Sequence, residues 1–417
     1  MLNPQTQQRE LAYVVKINDI RPIEGYDRVE YAKTGGWWVV VKKNQFKIGD
    51  LAIYIEVDSK VPETEPFMFL EKKKFKVKTQ KMCKVLSQGL LMHPEDFENW
   101  QVYSFRENKD DEWTTYIEDD KCHSWYLGDF LTEKLGITYA DAEDNKRKAN
   151  SQDKYKLMAQ RRPDIFRQGW ARWMMRREWG KKIMFFFFGK KKDKKNGWPE
   201  WVKKTDEERC QNMPWLFPGD PKEIWIATEK IDGTSTTFTI KRRGFGKKYD
   251  FRICSRNVVF DKPDKACFYE TNVYTKMAEK YNIEQIMTSI MNEYPKLEYL
   301  TIQGETYGEG IQKRDYGIKG HKFMAFNLIY KTIDMVSPRR LNPLELRAYL
   351  LHKHQIPCVP IISTFFVIPE TCEELLKMAE GESAIDGGMR EGLVFRDFDG
   401  EKSFKAVSNP FLLKYHG

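Results

Sequence analysis

The sequence predicts an α+β protein with a small N-terminal β-barrel, a basic helical insertion and a C-terminal domain of sheets and helices. Short runs rich in β-branched and aromatic residues recur about every ten residues near the N-terminus. Bases then alternate with aromatic residues, and strand-like and helix-like runs are mixed further on. We predict a barrel domain in residues 1–103, a linker with the insertion in 104–220 and a third region in 221–417.

The barrel prediction depends on residues 8–62. Residues 10–17 mix β-branched and apolar positions, and residues 37–41 form a Trp-Trp-Val-Val-Val run with strong β propensity. A turn entry at 46–50 precedes a further strand at 51–55. Short strands at even spacing are typical of a small barrel, and we predict an OB-like β-barrel.

The basic segment 161–204 contains 15 Lys and Arg residues against 4 Asp and Glu residues, a net charge of +11 in a chain of net charge +9. Within it Arg172, Trp173, Met174 and Arg176 fit an amphipathic helix. One interpretation is a nucleic-acid contact, with cations for phosphates and aromatics for bases. Two others are a packed helix whose aromatics are core beside a solvated Lys-rich loop, and a membrane-surface helix.

Cysteine spacing and hydropathy argue against several protein classes. The seven cysteines are an odd number, widely spaced and without a C-x-x-C pair, which favours a reducing compartment over a disulfide framework or a zinc module. No signal peptide is visible, and the longest apolar run, residues 183–188, is too short to span a bilayer. We expect a cytoplasmic monomer without a membrane partner, encoded by a cell, a virus or a phage.

Beyond residue 221 the pattern predicts strands at 224–228, 299–303, 323–330 and 392–398, and a helical region at 269–294.

The most distinctive sequence motif of this region follows the predicted strand 224–228. It is Glu229-Lys230-Ile231-Asp232-Gly233-Thr234. A K-x-D-G match alone arises by chance about one time in ten in a chain this long, so its specificity depends on the motifs that follow. These are Ser255-Arg256-Asn257, Gly304-Glu305-Thr306-Tyr307-Gly308, Met324-Ala325-Phe326-Asn327, Glu391-Gly392-Leu393-Val394-Phe395-Arg396 and Ser403-Phe404-Lys405-Ala406-Val407.

In this order the motifs resemble motifs I, Ia, III, IIIa, IV and V of the covalent nucleotidyltransferases, which include ATP-dependent polynucleotide ligases and mRNA capping enzymes. The match covers residues 223–414 and implies a nucleotidyltransferase domain of ATP-grasp-like antiparallel sheets with helices. Only 12 residues follow Lys405, too few for the C-terminal barrel of DNA ligases and capping enzymes. The N-terminal barrel is instead similar to the arrangement in a family of ATP-dependent RNA ligases.

The resemblance implies a role for each motif residue. Lys230 resembles the catalytic lysine that takes up AMP, and Asp232 and Glu391 resemble metal-site acids. The alternative for Lys230 is a surface lysine beside a turn. The alternative for Phe326 and Val394 is simple packing in the core. The implied nucleotide-binding residues are Glu229, beside the lysine; Arg256 and Glu305, at the ribose and phosphates; Phe326 and Val394, on the two sides of adenine; and Lys405, at the α-phosphate.

Elementary chemistry supports these residue types. A lysine that attacks phosphorus must lose its proton, which costs about 4–5 kcal/mol at pH 7 from a pKa of about 10.4. A neighbouring metal ion or second lysine would depress the pKa of Lys230, and carboxylates would hold the metal. If Asp399-Gly400 makes a two-residue turn, Val394 pairs with Lys405 on one face.

Two further cations are candidates. Motif V in many ligases is K-x-K, but Ala406 and Val407 follow Lys405 here, so Lys414 is a candidate for the second lysine. Residues 198–209 are similar to the segment that joins the two domains in those RNA ligases, and Arg209 is a candidate contact for ATP phosphates or pyrophosphate. The alternative for Arg209 is a helix-surface arginine.

The resemblance therefore implies an ATP-dependent RNA ligase that uses Mg²⁺ or Mn²⁺ and joins RNA 3′-OH and 5′-phosphate ends through a lysyl-AMP. Two alternatives stay open: a capping-type guanylyltransferase, and a nucleic-acid-binding protein that has lost activity.

Overall fold

The structure is a computed structural model of the 417-residue chain. The predicted α+β architecture with an N-terminal OB fold is confirmed, whereas the predicted domain boundaries stay predictions. The polar stretch 141–162 and the Lys-rich loop of the insertion lie outside the described residues. The described residues are 9–97, 100–103, 123–140, 165, 168–177, 179–181, 183–184, 198–204, 207–243, 249–256, 258–260 and 272–416.

Short strands build the N-terminal part. Strands β2, β3 and β4 form one antiparallel sheet, β1, β5 and β9 form another, β7 pairs with β8, β12 with β6, and β10 with β11. The strands are β1 (Ala12–Lys16), β2 (Asp19–Ile23), β3 (Tyr26–Thr34), β4 (Trp37–Lys42), β5 (Leu51–Ile55), β6 (Ser59–Lys60), β7 (Gln80–Met82), β8 (Val85–Ser87), β9 (Leu90–Met92), β10 (Trp100–Tyr103), β11 (His123–Tyr126) and β12 (Thr138–Tyr139).

Strand β1 is apolar along most of its length because it separates two apolar clusters. Successive side chains of a strand point to opposite faces. Ala12 and Val14 accordingly pack into one cluster, while Tyr13 and Val15 pack into the other. Burial on both faces explains why this run, like that of β5, is continuously apolar rather than alternating.

Within the basic segment the structure shows helix α1 (Gly169–Met175). Trp170, Trp173 and Trp179 in this segment are 49%, 50% and 51% exposed. The interpretation in which the aromatics of this segment form a core is therefore wrong for these three tryptophans.

Two antiparallel-rich sheets build the C-terminal part. One has the strand order β13-β23-β22-β14-β21 and the other β17-β16-β15-β18-β19-β20. The strands are β13 (Glu208–Arg209), β14 (Trp225–Lys230), β15 (Thr234–Arg242), β16 (Tyr249–Cys254), β17 (Val259–Phe260), β18 (Leu297–Gly308), β19 (His321–Thr332), β20 (Arg339–Arg340), β21 (Ile361–Phe366), β22 (Gly392–Arg396) and β23 (Ser403–Val407).

The region predicted as helical at 269–294 contains two helices, α2 (Val273–Lys280) and α3 (Ile283–Glu293), and residues 269–271 lie outside the described part. Asn282 between them has a φ of 50°, a left-handed conformation that ends a helix. Both helices pack their apolar residues into the core of the six-stranded sheet. Further helices are α4 (Pro343–Leu346), continued by a π-helical turn at Arg347–Lys353, then α5 (Cys372–Ala379) and α6 (Asn409–Phe411), continued by a π-helical turn at Leu412–His416.

A buried asparagine joins the barrel to the C-terminal sheets. The Asn212 Oδ1 accepts hydrogen bonds from Trp37 Nε1 at 2.7 Å and from the Tyr13 hydroxyl at 3.4 Å. Its Nδ2 donates to Glu56 Oε1 at 2.8 Å and to Glu208 Oε1 at 2.5 Å. Asn212 therefore fixes strand β13 against the barrel.

Among the described residues, no helix combines the length and the apolar character that crossing a membrane requires. Five of the seven cysteines are described, and all five are free thiols: Cys83, Cys210, Cys254, Cys358 and Cys372. Cys122 and Cys267 lie outside the described residues.

Candidate active site

Strand β14 carries the lysine of the K-x-D-G motif into a cavity of about 740 Å³. Lys230 is the last residue of β14, which extends two residues past the predicted end. A Cβ at Gly233 would lie 2.4 Å from the carbonyl oxygen of Thr306, so only glycine fits this turn. The backbone N–H of Asp232 donates to the Tyr316 hydroxyl at 2.7 Å. The motif is thus held from both sides.

Lys230 is surrounded by carboxylates. Its Nζ lies 2.6 Å from Glu391 Oε1, and the side chain is 26% exposed. Burial lowers the pKa of Lys230, but the charges of Glu391, Glu305 and Asp232 outweigh burial and raise the pKa above its ordinary value. The expected depression of this pKa is therefore not produced by the described side chains of this chain, whose carboxylates stabilise the ammonium.

The same crowding acts on Glu305. Burial, together with the negative charges of Glu391 and Asp232, raises the pKa of Glu305 to about 8, against the opposing charges of Lys230 and Arg256. The positive charges of Lys230 and Arg256 do not outweigh burial and the charges of the two other carboxylates at Glu305. The site therefore favours an additional positive charge.

The donor set fits a hard divalent cation. Asp232 Oδ2 and Glu391 Oε2 are buried oxygens with no hydrogen-bond partner among the described residues. Within the same described part, no group of three or more His, Cys, Asp or Glu side chains converges to hold a metal ion alone. Mg²⁺ and similar ions commonly bind one or two carboxylates and complete their shell with water and substrate phosphates, which agrees with this arrangement.

One row of side chains crosses the five-stranded sheet and lines the cavity. Thr228 pairs with Val394, Val394 with Lys405, and Lys405 with Arg209. The predicted pairing of Val394 with Lys405 is confirmed. The row places an apolar side chain beside two cations, and Phe326 lines the same cavity.

A buried ion pair lies next to this row. The Arg396 Nη2 donates to Glu207 Oε1 at 3.0 Å, and the guanidinium carbon lies 6.0 Å from the centre of the Phe326 ring. The Arg396 side chain is 2% exposed, and its Nε and Nη1 have no partner among the described residues. Two donor nitrogens of Arg396 thus have no acceptor among the described residues, on a side chain that lies beside Phe326.

The N-terminal part supplies one wall of the cavity. Arg256 Nη2 donates to the Tyr139 hydroxyl at 2.7 Å, and its guanidinium carbon lies 5.0 Å from the centre of that ring. Asp58 and Lys78 also line the cavity. The site therefore lies between the barrel and the C-terminal sheets.

Residues 11–94 match the family model of an OB-fold domain, and residues 223–410 match the model of the RNA ligase family. Residues 223–410 belong to the RNA ligase family. A comparison with curated proteins gives no match.

Solved structures of the Naegleria gruberi RNA ligase are similar to this chain over nearly its full length. Its complex with pyrophosphate has 25% sequence identity, covers 98% of this chain and 99% of that chain, and has a TM-score of 0.63. A variant with ATP and Mn gives the same values. A variant with AMP and Mn has 25% identity, the same coverage and a TM-score of 0.62.

Ten of the eleven residues predicted for the site line the cavity. Their roles stay predictions. Arg209 lies in strand β13, so the helix-surface alternative for it is wrong. The ten are Lys230, Glu229, Asp232, Arg256, Glu305, Phe326, Glu391, Val394, Lys405 and Arg209.

Glu229 lines the cavity, but its carboxylate already has hydrogen-bond partners. Its carboxylate accepts hydrogen bonds from Ser383 Oγ at 2.5 Å and from the Ala384 backbone N–H at 2.8 Å. Burial raises the pKa of Glu229 despite these bonds. This geometry favours a role in holding the 383–384 loop.

Lys414 is not among the residues that line the cavity. It is exposed, and its Nζ lies 5.1 Å from the centre of the Tyr415 ring. The C-terminal turn instead brings His416 in, with Nε2 3.4 Å from Asp232 Oδ1. The hydrogen bond to Asp232 raises the pKa of His416.

Glu207, Arg396, Tyr139 and His416 are among the residues that line the cavity but were not predicted from the sequence. Arg396 closes motif IV, and its position two residues after Val394 on a strand was a usable signal for the same face. Glu207 lies two residues before Arg209, in the segment 198–209 that already supplied a candidate, so that segment was a usable signal as well. Tyr139 and His416 come from segments outside the six motifs, and their sequence neighbourhood carries no signal of this site.

Proposed function

We propose that this chain is an ATP-dependent RNA ligase that joins RNA 3′-OH and 5′-phosphate ends through a lysyl-AMP on Lys230. The observation that carries the proposal is the placement of Lys230 Nζ, 2.6 Å from Glu391, in one cavity with Arg209, Lys405 and Phe326. Family membership and the similarity to a ligase solved with ATP and Mn support it.

In the first step the Nζ lone pair of Lys230 attacks the α-phosphorus of ATP. A nitrogen–phosphorus bond forms, the bond to the bridging oxygen breaks, and pyrophosphate leaves. Before the attack Nζ gives up a proton to Glu391 Oε1, which already accepts a hydrogen bond from it at 2.6 Å. Lys405 and Arg209, neighbours across β23 and β13, stabilise the negative charge on the transferring and leaving phosphates.

The base is held by different chemistry. Phe326 stacks on adenine and Val394 packs on the other side, while the free N–H groups of Arg396 donate to ring nitrogens. A donor pair beside the ring suits acceptor nitrogens of a purine. This is how the cavity would select and orient the nucleotide.

Asp232 and Glu391 would hold a divalent ion such as Mg²⁺ or Mn²⁺ through their unpartnered oxygens. When bound, it neutralises phosphate charge and lowers the pKa of the neighbouring lysine. The carboxylates of this chain alone do the opposite to Lys230.

In the second step the AMP passes from Lys230 to the 5′-phosphate of RNA, forming a 5′–5′ pyrophosphate linkage. In the third step the RNA 3′-OH attacks that 5′-phosphate, the phosphodiester forms and AMP leaves. The cations of the cavity act in all three steps, because negative charge develops on the attacked phosphate in each step.

The first test is incubation with α-labelled ATP and MgCl₂ or MnCl₂, followed by denaturation and measurement of label on the protein. We expect label on the wild type and none on Lys230→Ala. Lys222→Ala, an exposed lysine outside the cavity, is the matched control and should label fully. Label on the Lys230→Ala variant would contradict the assignment.

Labelled GTP tests the guanylyltransferase alternative, and failure with both nucleotides would favour an inactive binding protein. The labelled enzyme is then mixed with RNA that carries a 5′-phosphate or a 5′-OH. We expect transfer and joining only with the 5′-phosphate. Transfer without joining would contradict the proposed third step.

A further inference from the structure

Four side chains of the basic segment form an exposed group, which we call the tryptophan cluster: Trp170, Trp173, Arg177 and Trp179. Each tryptophan is about half exposed. The same segment also has an inner side, where Ala171, Gly180 and Met184 are buried. The tryptophans therefore lie outside the buried side of the segment.

The cluster has a defined geometry. The Trp173 and Trp179 rings have centroids 6.0 Å apart and planes at 82°, an edge-to-face arrangement. The guanidinium carbon of Arg177 lies 3.9 Å from the centre of the Trp173 ring. Trp170 and Trp173 are three residues apart on α1, so they share a helix face.

Charge indicates the kind of partner. Residues 161–204 have a net charge of +11, while the rest of the chain sums to about −2. Three half-exposed indoles within such a segment combine flat apolar rings with cations. Polyanions that carry flat rings, such as single-stranded nucleic acids, complement both properties.

A membrane-surface helix has a different pattern. It separates an apolar face from a cationic face so that the apolar side enters the lipid. Here the Arg177 guanidinium lies on the indole of Trp173 itself, so charge and aromatic surface share one face. This intermixing favours stacked bases next to phosphates over acyl chains.

We propose that the tryptophan cluster is a second binding site, for single-stranded RNA, in which bases stack on the indoles and Arg177 contacts the phosphate backbone. The choice of RNA rather than DNA rests on the proposed function. The cluster adds affinity for the strand and takes no part in the transfer of AMP to Lys230.

The test measures the Kd of a labelled single-stranded oligoribonucleotide with a 5′-OH and a 3′-phosphate, ends that the proposed reaction does not join. The variants are Trp173→Ala/Trp179→Ala, the conservative pair Trp173→Phe/Trp179→Phe, and Arg177→Gln. The matched control is Trp215→Ala, a tryptophan that is 65% exposed and lies outside the cavity.

We expect the alanine pair to raise the Kd about 5-fold or more for each stacked base that is lost. The phenylalanine pair keeps rings for stacking and should recover most of the affinity. Arg177→Gln should weaken binding and lower the slope of log Kd against log salt by about 0.7, the value for one phosphate contact on a single strand. Trp215→Ala should bind as the wild type does.

Self-adenylylation with labelled ATP, measured on every variant, keeps the two proposals separate. Normal labelling of the alanine pair together with weaker RNA binding would support the proposed RNA site. Absence of labelling in the wild type would contradict the ligase proposal but would leave the proposed RNA site unaffected. Unchanged Kd in the alanine pair at several salt concentrations would overturn the cluster proposal. Binding to vesicles of anionic phospholipid that is lost in the alanine pair, with RNA binding intact, would also overturn it in favour of a membrane surface.

Discussion

Glu207→Gln is the substitution whose effect the structure defines most sharply. The Glu207 carboxylate accepts a hydrogen bond from Arg396 at 3.0 Å, lies 3.6 Å from Arg340 Nη1 and also accepts from Ser403 Oγ. The Arg396 side chain is 2% exposed and that of Glu207 is 19% exposed. Glu207 is therefore the counter-charge of a guanidinium that is excluded from water.

Breaking a buried ion pair by removal of one partner costs about 3–5 kcal/mol, because the other charge stays buried and unpaired. Glutamine keeps the shape and one acceptor oxygen, so we expect about 3 kcal/mol, the lower limit. At about 2–4 °C per kcal/mol for a domain of this size, the Tm falls by about 6–12 °C.

The assay is urea denaturation of wild type, Glu207→Gln, Arg396→Leu and the double variant. We expect the double variant to lose less free energy of unfolding than the two single losses together, by at least about 1 kcal/mol, because the residues are in contact. Additive losses, or a Glu207→Gln loss below about 0.5 kcal/mol, would refute the reasoning.

The dependence on pH follows from the same pair. Burial raises the pKa of Glu207, but Arg396, Arg340 and the Ser403 hydrogen bond outweigh it and lower the pKa below its ordinary value. In the unfolded chain the glutamate carboxyl has a pKa of about 4.3. The contribution of Glu207 is therefore fully present above that pH and is lost as the pH falls through the lower folded pKa. The stability difference between wild type and Glu207→Gln should be constant from pH 6 to 8 and shrink in acid.

Three further outcomes follow from the site. Phe326→Ala should raise the KM for ATP in self-adenylylation about 5- to 150-fold, the range for a lost base stack of about 1–3 kcal/mol, and Phe326→Tyr should restore it. Tyr139→Phe removes the 2.7 Å hydrogen bond that holds Arg256 and should raise the same KM by at most about tenfold, with no change in Tm above about 2 °C. Glu229→Ala leaves the Ser383 hydroxyl and the Ala384 N–H without their acceptor and should cost about 1–3 kcal/mol in urea denaturation, whereas Glu223→Ala, at a partly exposed glutamate, should cost less than about 0.5 kcal/mol.

The parts of the site that the sequence predicted correctly are local. Val394 and Lys405 belong to one hairpin, so turn geometry alone determines that they pair. Lys230 and Asp232 are two residues apart and reach the same cavity. Pairing within a hairpin and spacing along a strand can be predicted without knowledge of the rest of the fold, because they depend on residues close together in the sequence.

The parts that the sequence missed depend on distant segments. Strand β13 is only two residues long and pairs in parallel with β23, so no local pattern predicts that Arg209 lies beside Lys405. Strand β15 also escaped prediction, because its four threonines give it a polar appearance. The buried hydroxyls of Thr236 and Thr239 are paired with those of Thr306 and Thr301, at 2.7 and 2.8 Å, and burial of a satisfied hydroxyl is permitted.

The charges of the cavity explain why a single lysine is compatible with so many acids. Asp232, Glu305 and Glu391 all act on Lys230, and burial together with the charges of Glu391 and Asp232 raises the pKa of Glu305 to about 8. Without a ligand, three carboxyl groups in one cavity are unfavourable, because burying several like charges together costs free energy. This arrangement would become favourable if Asp232 and Glu391 held a divalent cation beside a bound nucleotide, as proposed above, because coordination would replace the repulsion. The strain among the carboxylates in the free enzyme is therefore an expected property of a site built for a metal-bound phosphate.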